Sequence, residues 1–382
     1  MVTRTYGTIS AVPSASPGLS TVLAPLAEIA RAGRRAADDF DPYAHLPERP
    51  RPTSDRPVVG LVGWYGWGNY GDELFHEVFR ENLEPDVALR SVLDSNRRRQ
   101  SGRRIGAHVR TSDAILIGGG DILKPSRTHD AYWHRSYLRR PVYVAGVGVP
   151  TWEAPVRQAV DRLRRFLTDP SVRFIATRDE ESSAWVRETL APTVPVATAP
   201  DLVCALSLPE IERPADPPIL GIVVRRRSTP DDLSQVRRLG ERAREIGYRV
   251  RRIVLATGRT RVHDLEATRE LGLPDAELVV SDNLAVLTRA IGECTVVASM
   301  KFHGVVVATM FGIPGLVLMP TAKNRNFMRR IGRPDLIAVY SAPDLAERLE
   351  AGLAPIPPEV RDELRGGAAR ILSEIRTLIV GS

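Results

Sequence analysis

Residues 57–79 read PVVGLVGWYGWGNYGDELFHEVF, and this stretch sets the fold class. Its first seven residues form an apolar run that predicts a buried strand. Asp72 to Asn82 is a predicted helix, with Asp72 well placed near its start. The glycine-rich loop between them allows tight turns, and the free N–H groups of the helix start can face an anion. Gly66, Gly68 and Gly71 have the GxGxxG spacing, but a single match of this kind is a weak signal, so the loop alone does not indicate a dinucleotide site.

The alternation of apolar runs and helix-length segments continues on both sides of a Pro-rich stretch at 208–218. The further predicted strands lie at 114–120, 141–149, 172–179, 194–201, 219–225, 249–257, 295–300 and 315–319. The further predicted helices lie at 154–167, 180–189, 231–246, 284–291, 303–311 and 361–380. Continuous apolar runs, rather than alternating ones, indicate strands that are buried on both faces of parallel sheets.

This pattern predicts an α/β protein with two Rossmann-like domains, whose mostly parallel sheets face an interdomain cleft. We expect an N-terminal tail and linker at 1–55 and a first domain at 56–207. A linker at 208–218 then leads to a second domain at 219–382, which ends in the terminal helix.

The chain has 382 residues and a formal net charge of +7, which suits an anionic substrate or an anionic membrane surface. No nucleic-acid-binding module is recognisable, and RRRQSGRR (97–104) is typical of a solvated loop or helix end. Cys204 and Cys294 stand in apolar surroundings without ligand spacing, so we expect buried thiols and no zinc site. The absence of a long apolar run and of a signal peptide predicts a cytoplasmic protein, with peripheral contact at the inner face of the membrane left open.

Polar or glycine-rich clusters follow five predicted strands, at the edge where doubly wound sheets bind ligands. In the second half, Arg225 can clamp a carboxylate or phosphate. Lys301 and His303 lie together at a helix start, which favours anion binding and proton transfer. Lys323 and Arg325 follow another strand, so the cations together favour a small, multiply charged anion. The five clusters are WYGWGNYGD (64–72), GGGD (118–121), ATRDEES (176–182), VVRRRS (223–228) and ASMKFHG (298–304).

The first half offers aromatic side chains and one Arg–Asp pair. The pair Arg178 and Asp179 is interpreted as structural, because it lies between a strand end and an acidic first helical turn. Four aromatic residues are candidates for stacking on a sugar face and, equally, for packing as core: Trp64, Tyr65, Trp67 and Tyr70.

An ordered set of motifs between about 58 and 340 resembles the polysaccharide pyruvyl transferase family. The motifs are GNYGDE, GGGD, GVGV, TRDEES, TAPDLVCAL and SMKFHGVVVATMFGIPGLVL, followed by Lys323. The resemblance implies two Rossmann-like domains arranged as in GT-B glycosyltransferases. It also implies transfer of a pyruvyl group from phosphoenolpyruvate (PEP) to a sugar of a polysaccharide, glycolipid or lipid-linked glycan, as a cyclic ketal.

The resemblance also assigns roles to residues of the second half. The family's Arg–Leu–His motif falls on Lys301, Phe302 and His303, and its strand-end arginine falls on Arg225. His303 is thereby expected to be the acid/base, and Arg225, Lys301 and Lys323 are expected to bind PEP. The lysine at 301 departs from the family's usual arginine, because it keeps the charge and loses the planar fork.

On the acceptor side we expect five residues of the first half: Asn69, Asp72, Trp67, Tyr70 and Asp121. Either of the two carboxylates, Asp72 or Asp121, is a candidate for deprotonating the acceptor. PEP is the co-substrate, and neither a further cofactor nor a metal is expected. Two alternatives stay open, namely a nucleotide-sugar glycosyltransferase of the same architecture and a non-catalytic glycan- or nucleotide-binding protein. The acceptor sugar and the oligomeric state are not readable from the sequence.

Overall fold

The computed structural model describes residues 55–91, 102–129, 131–213, 216–227 and 232–381. The predicted tail at 1–55 therefore lies outside the described residues, apart from Asp55. Most of the basic cluster at 97–104 lies outside them as well.

The first half is built around a six-stranded parallel sheet with the strand order β2-β1-β3-β4-β5-β6. Its strands are β1 (Val58–Val62), β2 (Ala88–Ser91), β3 (Ala114–Gly120), β4 (Val142–Val147), β5 (Val172–Thr177) and β6 (Val196–Thr198). The helices between them are α1 (Tyr70–Leu83), α2 (Gly102–Arg110), α3 (Arg157–Leu167) and α4 (Glu180–Trp185). A π turn at Val186–Leu190 and 3-10 turns at Arg135–Arg139 and Leu202–Ala205 complete this half.

The second half contains a five-stranded parallel sheet with the order β11-β10-β7-β8-β9. Its strands are β7 (Ile219–Val223), β8 (Arg249–Ile253), β9 (Glu277–Val279), β10 (Val296–Ser299) and β11 (Gly315–Val317). Its helices are α5 (Ser234–Glu245), α6 (Arg261–Glu270), α7 (Leu284–Gly292), α8 (Phe302–Met310), α9 (Ala322–Arg330), α10 (Leu345–Glu350) and α11 (Pro358–Val380). Short 3-10 turns lie at Gly258–Thr260 and Pro334–Leu336.

The sheets form because their strands can be buried on both faces. All five residues of β1 are buried, and so are the first six residues of β3. Helix α1 covers the first sheet with Phe75 and Phe79, which are fully buried and pack against Gly118 and Gly119 of β3. Burial of each such ring stabilises the fold by roughly 1.5–3 kcal/mol relative to an exposed ring. The predicted parallel α/β architecture is therefore confirmed.

Each sheet has one point where the strand order reverses. In the first sheet, β2 lies on one side of β1 and β3 lies on the other side. In the second sheet the same reversal separates β7 from β10. Loops that follow the two strands at such a point diverge and leave a crevice for ligands. The loops after β1, β3, β7 and β10 are those that carry the glycine-rich stretch, Asp121, Arg225 and Lys301.

The terminal helix α11 packs against the first half, although the sequence placed it at the end of the second domain. Tyr143 in β4 donates a 3.2 Å hydrogen bond to the carbonyl oxygen of Leu378. Gly367 approaches Pro200 so closely that a Cβ would lie 2.8 Å from the proline Cδ. Arg376 also lies 3.4 Å from Asp86. The helix thus ties the last residues of the chain to the first sheet.

Within the described ranges, no helix is both long enough and apolar enough to cross a membrane.

Candidate active site

A cavity of about 910 Å³ opens between the loops that follow β1, β3, β7 and β10. All of the predicted site residues except Trp67 line it: Asn69, Tyr70, Asp72, Asp121, Arg225, Lys301, His303 and Lys323. Residues that are distant in sequence are therefore brought together at the two switch points, as the strand-end positions predicted.

His303 lies in the first turn of α8 and is nearly buried. Its Nε2 atom lies 3.5 Å from Oδ2 of Asp201, an ion-pair distance when the ring is protonated. In the part of the chain that the structure describes, neither atom makes a well-directed hydrogen bond. Burial alone would raise the pKa of Asp201, but His303 and Arg178 outweigh it and the pKa is lowered. Asp201 is therefore a carboxylate that can orient the imidazole and stabilise its charged form.

The ring of His303 is fixed by close packing. A Cβ built on Gly71 would lie 1.7 Å from Nδ1, so only glycine leaves room for the ring. Phe75 meets the ring edge-on at 5.6 Å between centroids, and Phe302 meets it at 5.0 Å. The first turn of α1 thus shapes the site of a histidine that belongs to the other half.

Arg178 is a buried cation of the cavity wall, with 3% of its side chain exposed. It forms an ion pair with Asp121 and lies 4.0 Å from Asp201 and 3.9 Å from Asp179. Its Nε and Nη1 atoms have no hydrogen-bond partner among the described residues. The structural interpretation of the Arg178–Asp179 pair is incomplete, because the short ion pair joins Arg178 to Asp121 and two of its nitrogens stay unused.

Asp121 accepts from two cations. Lys323 Nζ lies 3.2 Å from Oδ2, and Arg178 contacts Oδ1. Burial acts to raise the pKa of Asp121, but Arg178 and Lys323 outweigh it and lower the pKa to about 2. A carboxylate held so acidic is a weak base, so Asp121 is a poor candidate for deprotonating an acceptor.

Asp72 differs from Asp121, although both carboxylates line the same cavity. It forms a short hydrogen bond with the side-chain amide of Asn69. Burial raises its pKa, and the hydrogen bond, His303 and Lys323 offset only part of that effect. Of the two predicted bases, Asp72 is therefore the more basic.

Lys301 and Arg225 enter the cavity from the second sheet. Lys301 Nζ lies 2.5 Å from Oδ2 of Asp264 and 2.7 Å from the carbonyl oxygen of Leu255. Burial lowers the pKa of Lys301, and Asp264 counteracts this effect. Arg225 is exposed and has no ion-pair partner among the residues that the structure describes. It is thus the cation of this wall that is free to meet a ligand.

The aromatic residues of the first loop divide into core and surface. Tyr70 is 1% exposed and its hydroxyl lies 2.7 Å from Oγ1 of Thr288, which favours the second of the two interpretations of this ring, packing as core. Tyr65 is buried as well. Trp67 is half-buried and stacks behind Trp64, with ring centroids 4.7 Å apart and planes 13° apart. Trp64 is the ring of this pair that lines the cavity.

Comparison with known proteins agrees with this geometry. The sequence profile described as polysaccharide pyruvyl transferase matches residues 69–320, which is more than half of the chain. The chain belongs to this family. The match begins at the last residue of the loop after β1 and includes strands β2 to β11. No curated protein sequence matches the chain closely enough to count as a relative.

Solved structures show the fold of this pyruvyl transferase family member. The UDP-GlcNAc 2-epimerase of Neisseria meningitidis, bound to UDP-GlcNAc, is 14% identical with a TM-score of 0.52, covering 83% of this chain and 98% of that chain. The S. aureus MnaA–UDP structure is 11% identical with a TM-score of 0.55, covering 85% of this chain and 97% of that chain. At such identities the likeness concerns the fold alone. It confirms two Rossmann-like domains in a GT-B-like arrangement.

Three polar residues of the site were not assigned from the sequence: Arg178, Asp201 and Asp264. The motif TAPD placed Asp201 at a strand end, which is the signal that could have found it. Asp264 lies on α6, a helix that the sequence pattern did not predict, because its buried residues include Asp264 and Thr268. Arg178 was recognised, but its partner Asp121 lies 57 positions away and is invisible to local pattern.

The segment GNYGDE (68–73) of this family member connects the first half to the second through hydrogen bonds. The carboxylate of Glu73 accepts from the backbone N–H groups of Gly66 and Gly68, at 3.0 and 2.9 Å. The carbonyl oxygen of Gly68 accepts from Thr257 N and from Thr260 Oγ1, at 2.7 and 2.6 Å. Gly68 has φ +87°, and a Cβ there would lie 1.9 Å from the Thr257 carbonyl oxygen. These hydrogen bonds join the two halves next to Asn69 and Thr260, which line the cavity.

Proposed function

We propose that the protein transfers the pyruvyl group of PEP to a sugar, as a cyclic ketal that bridges two hydroxyls. The observation that carries this proposal is the placement of a nearly buried His303, paired with Asp201, in one cavity with seven lysine and arginine side chains, four of which we assign to anion binding. These four cations are Arg178, Arg225, Lys301 and Lys323. PEP combines a phosphate, a carboxylate and a methylene carbon that must be protonated, and the cavity supplies cations for the first two and an acid for the third.

The donor is expected to lie toward the second half of the cavity. Arg225 is unpaired in the described part of the chain and can take two oxygens of one anionic group in bidentate fashion. Lys301 lies on the same wall as a point charge. Charge that develops on the departing phosphate would be stabilised by these fixed cations, which is where most catalytic stabilisation arises in such sites.

The proposed chemistry uses two titratable groups that line the cavity, His303 and Asp72. His303, as imidazolium, gives its proton to C3 of PEP, and C2 becomes oxocarbenium-like. A sugar hydroxyl adds to C2 and gives its proton to Asp72, whose pKa is raised by burial. The bond from C2 to the phosphate oxygen then breaks, the electron pair leaves with phosphate, and Asp72 passes its proton to the departing phosphate. A second hydroxyl adds to C2 and returns a proton to His303, so one PEP and one diol give one ketal and one phosphate.

The acceptor is expected to lie on the wall of the first half. Trp64 is 37% exposed and Trp152 is 55% exposed, and both line the cavity. Trp67 backs Trp64 and holds its plane. Aromatic faces of this kind pack against the apolar face of a sugar ring, and they replace Tyr70 as the stacking candidates.

The direct test is phosphorus NMR of PEP mixed with the protein and methyl glycosides that carry free 4- and 6-hydroxyls. We expect inorganic phosphate to appear in step with a glycoside that gains a ketal methyl signal. His303→Ala should remove both signals while PEP binding persists. Wild-type protein that binds PEP and releases no phosphate with any acceptor, across a broad glycoside panel, would contradict the transferase assignment.

A nucleotide-sugar glycosyltransferase is the second candidate, because proteins of similar fold have been solved with UDP-GlcNAc and with UDP. It predicts that UDP-sugars, rather than PEP, stabilise the protein against heat. A non-catalytic glycan-binding protein would bind PEP or sugar without phosphate release, and the paired His303 and Asp201 argue against that alternative.

A further inference from the structure

Asp264 joins two elements of the proposed donor site through its two carboxylate oxygens. It is buried in the first half of α6 and lines the cavity. Its Oδ2 lies 2.5 Å from Lys301 Nζ, and its Oδ1 accepts a 3.0 Å hydrogen bond from the backbone N–H of Arg226. One side chain therefore contacts both the loop after β7 and the loop after β10.

The ammonium group of Lys301 is only partly satisfied by these contacts. A protonated lysine has three N–H donors. Asp264 takes one and the carbonyl oxygen of Leu255, at 2.7 Å, takes another. The third is left for the cavity that Lys301 lines. Fixing two donors sets the direction of the third, so the flexible lysine stem is held as a directed anion contact.

The bond to Arg226 N fixes the backbone directly after Arg225. The side chain of Arg226 is occupied elsewhere, because its guanidinium donates to both oxygens of Glu270, at 2.8 and 2.6 Å. Glu270 lies on α6 as Asp264 does. Helix α6 thus holds both the backbone and the side chain of Arg226, and Arg225 remains as the cation that faces the cavity.

We propose that Asp264 is a positioning residue of the donor site, which sets Lys301 and the Arg225 loop in one geometry for a phosphate- and carboxylate-bearing donor. This inference rests on the proposed function for the identity of that donor. The contact with Asp264 explains how Lys301 can bind the donor at a position where the resemblance to the family implies an arginine. The donors of an arginine are held in a planar fork by the guanidinium itself. The ammonium group of a lysine is flexible, so a fixed partner is needed to orient its donors.

The charged groups that act on Lys301 come from three elements. Asp264 on α6 and Asp72 on α1 favour its charged form, and Arg225 after β7 disfavours it. His303 lies two residues further along on α8. Burial and Arg225 lower the pKa of Lys301, and without the charge of Asp264 only Asp72 acts to raise it. Lys301 should then lose its proton at a lower pH than in the wild type.

The first experiment reads Lys301 directly by NMR and does not depend on PEP. The chain has only three lysines, Lys124, Lys301 and Lys323, so lysine-selective labelling gives few side-chain signals. We expect Asp264→Asn to lower the titration midpoint of Lys301 by at least about one pH unit, the size of effect that an adjacent charge has. The signals of Lys124 and Lys323 should stay unchanged.

The matched control is Glu293→Gln. Glu293 lies 2.7 Å from the buried Arg251 in the same half, and it does not line the cavity. It should cost stability comparable to Asp264→Asn and leave the Lys301 titration unchanged. A Lys301 midpoint that is equal in wild type and Asp264→Asn would overturn the inference.

The second experiment separates position from charge by steady-state kinetics with PEP. We expect Asp264→Asn and Asp264→Glu each to raise the KM for PEP by about tenfold or more and to lower kcat as well, because Lys301 and Arg225 are proposed to hold both bound PEP and the departing phosphate. Asp264→Glu keeps the charge and the Lys301 titration, so a raised KM in that variant marks lost geometry. Asp264→Glu also tests the positioning role if Asp264→Asn does not fold.

The outcomes distinguish the inference from the proposed function. If wild-type protein neither binds nor turns over PEP, the proposed function fails, and the NMR titration still decides whether Asp264 governs Lys301. If the wild type uses PEP and both Asp264 variants keep its KM, the positioning role is refuted and the function stands. In a Lys301→Ala background, Asp264→Asn should raise the KM by a smaller factor than it does in the wild type, because only its effect on the Arg225 loop then remains.

Discussion

Gly71 and His303 occupy adjoining space, and a Cβ on Gly71 would lie 1.7 Å from the imidazole Nδ1. Gly71 lies in the first turn of α1, whereas His303 lies in the first turn of α8. The two halves of the protein thus meet at the ring that the proposed reaction uses as its acid. The absence of a side chain at 71 is part of the site.

Gly71→Ala should displace the His303 ring and lower turnover by at least about 100-fold, because small displacements of a reacting group cost that much. Overpacking should also lower the free energy of unfolding by about 1–3 kcal/mol. Turnover measured beside chemical denaturation checks both effects.

The matched control is Gly366→Ala on α11, where a Cβ would meet no atom within 4 Å. It should keep full turnover and stabilise the helix by about 0.5–1 kcal/mol. Normal activity in Gly71→Ala would show that the ring does not need its present position.

Asp201→Asn should lower kcat by about 10- to 100-fold and leave the KM for PEP nearly unchanged. The carboxylate contacts His303 Nε2 and not the proposed donor wall, so its loss affects the acid and not the binding of the anion. The kcat of His303→Ala, which lacks the proposed acid, is the lower limit with which the kcat of Asp201→Asn is compared. An equal loss of kcat and PEP affinity in Asp201→Asn would mean that Asp201 acts on the donor instead.

Asp121 should make the protein acid-sensitive. Its pKa is lowered to about 2, against burial, by Arg178 and Lys323. A depressed pKa contributes stability that is complete above the ordinary value near 4 and is lost as the pH falls toward 2, by about 2 kcal/mol in all. We expect the difference in unfolding free energy between wild type and Asp121→Asn to shrink over that window. A difference that is constant from pH 5 to pH 2 would contradict the ion pairs.

Trp64→Ala should raise the KM for the sugar acceptor by about tenfold, the equivalent of the roughly 1–1.5 kcal/mol that an aromatic stack contributes. The KM for PEP should not change, because Trp64 belongs to the opposite wall. Trp185→Ala is the control, since Trp185 packs against the core of the first half and does not line the cavity. Equal acceptor KM values in Trp64→Ala and wild type would remove the stacking role.

The sequence predicted the sheets well, because strands buried on both faces appear as continuous apolar runs. Every such run from 57–63 to 315–319 contains a strand of the structure. The short strands Ala88–Ser91 and Glu277–Val279 were missed, because they carry charged residues and are only partly buried. Helix Arg261–Glu270 was missed for the same reason, and Asp264 with it.

Site residues could be predicted from the sequence only where they follow the end of a predicted strand. Arg225, Lys301 and His303 follow strands directly, and the topology alone brings them together. Which ring of a glycine-rich loop faces the cavity depends on backbone turns that composition does not specify. Tyr70 therefore proved to be core and Trp64 surface. The pairing of Arg178 with Asp121 depends on how β3 and β5, which lie on either side of β4, end at the same edge of the sheet.

Thermal unfolding in the presence of PEP, compared with UDP-GlcNAc at the same concentration, tests the central claim most directly. A ligand that binds only the folded state raises the melting temperature with its concentration. We predict that PEP raises the melting temperature of the wild type, that Arg225→Ala abolishes this rise, and that UDP-GlcNAc has no effect. A rise with UDP-GlcNAc and none with PEP would contradict the account.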